Sequence, residues 1–288
     1  MTKTVYLMAT ADNPHLTAIA AALVDQLLRQ SVKVGLFWPI RPAADQTMTD
    51  LLARAGANQP LETAIGASYN QVHQDLDQAM MAMIGKLTDL QASVDLVVCV
   101  GSDYSDLIAP MEFSINAKIA ANLDAPVLLI ITDPAQSPSD LPAQARLYVD
   151  ALREKYATCM GLIVPSGSAD QAHWPKPLSL VEAVDFGHTP LSISPQAAST
   201  IVAADLPGVR TPLRFQFELA RRARADLRTI ILPEAEDDRI LKAASEIIDR
   251  GLAHLILLGD PAVVAAQAKV LGVDLTGARI QDPTDPKL

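Results

Sequence analysis

Five short apolar runs, rich in β-branched residues, alternate with longer segments of helical spacing through the first 165 residues. This alternation restricts the fold more than any other feature. The runs are TVYLMAT (4–10), VKVGLFW (32–38), DLVVCVG (95–101), PVLLIIT (126–132) and CMGLIVP (159–165). Each is continuously apolar rather than alternating, as expected of a strand buried on both faces of a parallel sheet. Between them, segments 16–30, about 67–90, 113–123 and 138–156 place apolar residues at three- and four-residue intervals, and 45–56 is a shorter candidate. Strand and helix in strict alternation predict a doubly wound parallel α/β domain over residues 1–165.

From 166 to 210 the pattern lapses into Pro, Ser, Ala and Gly, in PSGSADQAHWPKPLSL, GHTPLSISPQAAS and DLPGVRTP. This reads as a linker or an irregular connection with room for one short strand. Order resumes at Thr211, an N-cap candidate followed by Pro212 at the first helical position. A helix from Leu213 leads to the strand TIILP (229–233), a helix over 236–250, the strand HLILLG (254–259) and a helix over 261–271. Gly251 and Gly272 stand where helices end, and Asp260-Pro261 where one begins. Residues 211–288 therefore read as the opening of a second α/β domain with two strands. Two parallel strands need neighbours and helices on both faces, so either partner strands come from elsewhere or the chain is a fragment.

Composition limits the partners. Of 288 residues, 23 are basic and 33 acidic, a formal net charge of −10 without a basic run, which argues against nucleic acid. Cys99 and Cys159 both lie in strand-like apolar runs, where a reduced thiol behaves as a small hydrophobe; one disulfide is the alternative. The sequence shows neither a signal-peptide pattern nor a membrane-length apolar run. A cytoplasmic protein is expected.

Each candidate site stands or falls on the chemistry it would need. The stretch YLMATADNPHLTAIAAAL has the layout of a phosphate-binding loop: strand, turn, then a helix opening with Thr17. Such a loop needs glycines, so that backbone amides converge on the anion, and a lysine to neutralise it. This turn holds Ala11, Asp12, Asn13, Pro14 and His15 instead. A degenerate scaffold without nucleotide binding is expected. Ser102, Asp103 and Asp106 follow the third run, where open α/β sheets bind ligands; a loop cap is favoured there over Mg²⁺. His15, His73, His173, His188 and His254 lack metal-ligand spacing. Arg221, Arg222, Arg224 and Arg228 read as a solvated helix end with some anion attraction. Glu234, Glu236, Asp237 and Asp238 crowd the start of a helix whose apolar stripe is Ile240, Leu241, Ala244, Ile247 and Ile248. Helix-start carboxylates are expected there, with metal binding and a cleft role as alternatives.

Against that background, FELARRARADLRTIILPEAEDDRILKAASEIIDRGLAHLILLGDPAVVAAQAKVLGVDL resembles the opening of the phosphate acetyltransferase (phosphotransacetylase) catalytic domain. The resemblance rests on the ELAR helix, the ILPEAEDDRILKAA strand and turn, the RGLAHLILLGDP strand and the GVDL ending. The first domain is similar to the dethiobiotin-synthetase-like N-terminal domain of the long, multidomain bacterial form, with VGLFWPI where many members have Phe-Lys-Pro and FSINAKIAANLDAPVLLIIT also in place. Trp38 replaces the usual lysine, and the loop has lost its glycines. There is no room between 166 and 210 for the middle regulatory domain of many long forms.

The resemblance implies reversible acetyl transfer between coenzyme A and phosphate by direct attack in a ternary complex. A base would deprotonate the thiol, and cations or amides would hold the anions. It implies no metal or redox cofactor, coenzyme A and acetyl-CoA being substrates, and a homo-oligomeric enzyme. The family's pockets are built largely from later segments, including a Ser/Thr/Gly-rich loop. The chain is thus expected to be an inactive N-terminal portion, with no catalytic residue assigned and Arg239 as the one substrate-cleft candidate. Two alternatives stay open: a binding or regulatory protein on a degenerate nucleotide-binding fold, and an ATP-dependent ligase related to dethiobiotin synthetase.

Overall fold

The computed structural model describes residues 3–42, 45–56, 59–102, 104, 109–131, 140–167, 174–176, 178–206 and 208–284. The chain divides into two compact units, Met1–Arg214 and Phe215–Leu288. Among the described residues, no helix is long and apolar enough to cross a membrane.

The first unit follows the alternation in the sequence. In order it comprises β1 (Lys3–Ala9), α1 (Leu16–Arg29), β2 (Val34–Ile40), α2 (Asp45–Ala55), α3 (Leu61–Ala64), β3 (Ile65–Ala67), α4 (Tyr69–Gln74) and α5 (Leu76–Gln91). Then come β4 (Leu96–Val100), α6 (Ala109–Leu123), β5 (Val127–Ile130), α7 (Leu141–Glu154), β6 (Cys159–Pro165), β7 (Leu180–Val184) and α8 (Pro195–Ala203). The strands form one seven-stranded sheet in the order β3-β2-β4-β1-β5-β6-β7, with every ladder parallel. The central strands are buried along their length, as their uninterrupted apolar runs require. Helix α1 covers one face with Leu16, Ile19, Leu23 and Leu27, which join the strand side chains Val5, Leu7, Leu36 and Val98 in one core.

Three features depart from the reading of the sequence. Segment 67–90 is two helices rather than one. Ser68 accepts the Gln71 amide while the Gln71 side chain returns to the Ser68 amide, and Asp75 then accepts the Gln78 amide at 2.9 Å to open α5. Competing side-chain acceptors break a helical pattern in this way. Second, β3 is a three-residue edge strand, too short to have a period.

Third, segment 166–210, expected as a linker or irregular connection, carries β7 and α8, both within the first unit. Strand β7 pairs with β6 from Gly161↔Leu180 to Pro165↔Val184. Gly161 makes this possible, because a Cβ there would lie 2.7 Å from the Leu180 carbonyl oxygen. The Glu182 carboxylate accepts from the Ser194 amide at 2.7 Å and its hydroxyl at 2.9 Å, and Ser194 caps α8. Val184, Leu191, Ile193, Ala198 and Ile201 bury this edge in the main core, but they are spread among Pro, Ser and Ala rather than gathered in one apolar run.

Helix α9 (Pro212–Ala225) opens with Thr211, whose Oγ1 accepts the Arg214 amide at 3.2 Å. The second unit continues with β8 (Thr229–Leu232), α10 (Asp238–Asp249), β9 (His254–Leu258), α11 (Pro261–Leu271) and β10 (Arg279–Gln281). A third strand thus joins the two expected, giving a parallel sheet in the order β10-β9-β8. β10 is only three residues long, and it alternates Arg, Ile and Gln. Leu241, Ala244, Leu255, Leu257 and Val264 form the small core of this unit. Gly251 (φ 57°) and Gly272 (φ 68°) occupy the left-handed positions that end α10 and α11.

Candidate functional site

In a doubly wound sheet, ligands bind beyond the carboxyl ends of the strands, so the turn after β1 comes first. It closes on itself. The Asn13 carbonyl accepts the Leu16 amide at 3.2 Å, and the Asn13 Oδ1 accepts the His15 amide at 2.9 Å. The Thr10 amide donates to the Ile130 carbonyl, and Pro14 has no amide to offer. No residue from 10 to 15 has the positive φ that an anion-binding nest of backbone amides uses. The His15 ring lies against Phe186 at a centroid distance of 5.3 Å. Trp38, where the resemblance expects a lysine, is a buried core residue of β2.

Beneath that turn lies a constellation that sequence reasoning missed. Tyr6 on β1 donates its hydroxyl to the Asn116 Oδ1 at 2.7 Å, and the Ser102 amide donates to the same oxygen at 3.1 Å. The Asn116 Nδ2 donates to the Ser102 Oγ at 2.7 Å and to the Glu112 carbonyl at 2.9 Å. The Ser102 hydroxyl donates to the Glu112 carboxylate, and the Tyr69 hydroxyl reaches both Glu112 oxygens at 3.2 and 3.3 Å. Tyr104 donates to the Ala9 carbonyl at 3.0 Å. Tyr6, Ser102, Glu112 and Asn116 are all buried. Burial pushes the Tyr6 phenol well above its ordinary value, which keeps it a donor. The signal available in the sequence was Tyr6 and Asn116 standing among apolar neighbours, polar groups that burial obliges to find partners. The network ties β1, the turn after β4, α4 and α6 together.

The other candidates are dispersed. Asp103, Asp106 and His173 lie outside the described residues, and Ser102 belongs to the network just described. His188 pairs with Asp185 at 2.7 Å, His73 lies beside Tyr69, and His254 is exposed at the start of β9. No group of three or more His, Cys, Asp or Glu side chains converges among the described residues. Of the arginines, Arg224 donates to the Arg250 carbonyl at 3.0 Å and Arg228 pairs with Asp226; both ends are exposed.

The acidic corner is built as a helix start. Asp237 caps α10 by accepting the Arg239 amide at 2.8 Å. Arg239, the cleft candidate, folds back on the same carboxylate, with Nε 3.1 Å from Oδ1 and Nη2 2.6 Å from Oδ2. These bonds lower the Asp237 pKa to about 2 and raise that of Arg239. The Gln267 amide spans the Glu236 carbonyl at 2.7 Å and the Asp238 carboxylate at 2.6 Å. Arg239 is thus paired with the residue that caps α10, at the exposed turn after β8.

The first unit also carries two surface cavities of about 540 and 570 Å³. Lys3, Thr4, Pro126 and Thr158 line the one of about 540 Å³, at the amino ends of β1, β5 and β6 and so opposite the ligand-bearing edge.

A family model described as an AAA domain matches residues 3–192, and one described as phosphate acetyl/butaryl transferase matches 214–287. The phosphate acetyltransferase of Helicobacter pylori is 23% identical over 277 residues, which are 94% of this chain and 49% of that protein. The Corynebacterium glutamicum phosphate acetyltransferase is 43% identical over 75 residues, 26% of this chain and 23% of that protein. Among solved structures, the signal recognition particle 54 kDa protein of Aeropyrum pernix aligns over 95% of this chain and 64% of its own, with a TM-score of 0.46 and 17% identity. The chain thus spans half or less of the length of the curated relatives cited. With the AAA-domain match extending over the greater part of its residues, the chain belongs to the AAA-domain family, and it resembles phosphate acetyltransferases through both of its units.

Proposed function

We propose that this chain is the amino-terminal portion of a cytoplasmic phosphate acetyltransferase. The observation that carries the reading is the order of the two family matches, an AAA domain followed by a phosphate acetyl/butaryl transferase segment. The H. pylori phosphate acetyltransferase aligns across both. The reaction moves an acetyl group from acetyl phosphate to coenzyme A. The thiolate attacks the carbonyl carbon, the C–O bond to phosphate breaks, and inorganic phosphate leaves as the thiol proton passes to a base. No cofactor is needed beyond coenzyme A as substrate, and the working enzyme is a homo-oligomer.

In this chain the residues serve position rather than chemistry. The first unit is a scaffold whose closed turn supports the absence of a nucleotide role. Residues 214–287 supply one wall of the substrate cleft at the end of β8, with Arg239 and Asp237 fixing the shape of the turn. By itself the chain should form no acetyl-CoA from acetyl phosphate and coenzyme A above background; rapid turnover by the purified chain would overturn that part. To test the activity class, residues 214–287 replace the matching segment of the Corynebacterium relative. Acetyl transfer retained within about tenfold is expected, whereas a folded but inactive chimera would reject the assignment.

A further inference from the structure

The cavity of about 540 Å³ lies within the first unit, at the edge of the sheet away from the turn after β1. A helix that follows a parallel strand runs back toward the strands' amino ends. The last turns of α6 and α8 and the residue that closes α7 accordingly reach this cavity, and Ala121, Ile201 and Tyr156 line it. Helix ends of this kind carry the negative pole of the dipole and favour a cation. One cation is already bound there: the Lys3 ammonium donates to the Val202 carbonyl in the last turn of α8. Arg214, the other cation in the wall, has a partner as well. The two carboxylates in the wall differ. Among the described residues, neither Asp124 nor Asp205 accepts a hydrogen bond on its side chain or forms an ion pair. Asp124 is half-buried and lies against Gly208, where a Cβ would be 2.5 Å from its Oδ1. Tyr156 adds a second oddity. It closes α7 at φ 63°, a left-handed position at which glycine is the residue of low cost. Its side chain is 70% exposed, so packing inside the fold does not account for a bulky ring at that position.

We propose that this cavity is a binding site for an aliphatic diamine. One ammonium pairs with Asp124 and the other with Asp205, the carbon chain lies along Met160, Leu206 and Val209, and the Tyr156 ring stacks on a cationic end. The volume falls in the range of small-molecule sites, and so does the mixture of an apolar wall with a few polar groups. The sign of the ligand follows from which charges are spent. An anion would have to compete for Lys3 and Arg214, which already have partners, while facing two unpaired carboxylates and three helix ends of the wrong polarity. A cation meets none of these costs, and it gives each carboxylate a partner. The site belongs to the first unit alone and does not depend on the acetyltransferase reading.

Calorimetry on the full 288-residue chain with cadaverine tests the site, with pentylamine as the monoamine comparison and glutarate as the dicarboxylate one. One-to-one binding of cadaverine with a Kd of about 1 mM or tighter is expected, with pentylamine about tenfold weaker and glutarate not binding. Asp124→Asn and Asp205→Asn should each weaken cadaverine about tenfold. Asparagine tolerates the left-handed φ of 53° at position 124, so that change leaves the backbone as it is. Asp89→Asn, in the wall of the other cavity, should have no effect. Tyr156→Gly separates binding from folding: glycine relieves the left-handed position, so the thermal midpoint should hold or rise while cadaverine binds more weakly. Absence of saturable binding, affinity that survives both Asp124→Asn and Asp205→Asn, or glutarate binding as tightly as cadaverine overturns the proposal. An equal loss in Asp89→Asn and Asp124→Asn overturns it too, because that result means diffuse attraction to an acidic chain.

Discussion

Replacing Asn116 with alanine tests whether the buried network holds the first unit together. Asn116 accepts from Tyr6 and from the Ser102 amide and donates to the Ser102 hydroxyl and the Glu112 carbonyl. The substitution leaves two buried donors, the Tyr6 hydroxyl and the Ser102 amide, without that acceptor. Each orphaned group costs about 1–3 kcal/mol, and alanine in α6 returns about 0.5 kcal/mol of helix propensity. The expected loss is about 2–5 kcal/mol. The sequence has two tryptophans, Trp38 and Trp174, and both are buried in the first unit. Tryptophan fluorescence in a urea titration therefore follows this unit, even if the second melts separately. Tyr6→Phe adds a sharper criterion. In the Asn116→Ala background it removes a hydroxyl that is already orphaned, so its cost should fall by about 1–2 kcal/mol relative to wild type, a coupling readable from the double-mutant cycle. A loss under about 1 kcal/mol, or strict additivity with Tyr6→Phe, would refute the argument that the network is a satisfied unit.

Other expectations follow from single contacts. The Asp237 carboxyl should titrate near pH 2 by NMR, and Arg239→Ala should raise it toward about 3.9. Because the pKa is depressed in the fold, the pairing contributes above the unfolded value and is lost as pH falls toward 2; a value unchanged in Arg239→Ala would contradict the pairing. Burial lifts the Cys159 thiol to about 12 and the Cys99 thiol further. Iodoacetamide at pH 8 should therefore label neither in the native chain and both in urea, and rapid native labelling would count against this. Gly161→Ala should loosen β7 from β6, seen as faster exchange of the Leu180–Val184 amides, because its Cβ meets the Leu180 carbonyl. Calorimetry should find no saturable ATP site; one-to-one binding would overturn the reading of the turn after β1.

What could be read from the sequence follows the physics of burial. The runs at 4–10, 95–101 and 126–132 were legible because a strand buried on both faces must be apolar throughout, and Thr211, Asp260 and Gly272 because caps use few residue types. β3 and β10 span three residues each, too short for any period to appear. β7 and α8 pack on the core through Val184, Ile193 and Ile201, with Glu182, Ser194 and the room left at Gly161 fixing the edge, but these apolar residues are scattered through a proline- and serine-rich stretch. The loss of glycine and lysine after β1 could be seen directly. The network around Asn116 could not, since it joins residues as much as 110 positions apart whose meeting depends on strand order.

The Asn13 side chain has a consequence for any attempt to give this turn a ligand. Its oxygen occupies the His15 amide from within the chain, so the turn carries its own acceptor. An incoming phosphate would have to displace a competitor tethered two residues away, at an effective concentration on the order of millimolar or above. Grafting a lysine alone would leave that competitor in place; freeing the amide has to come first.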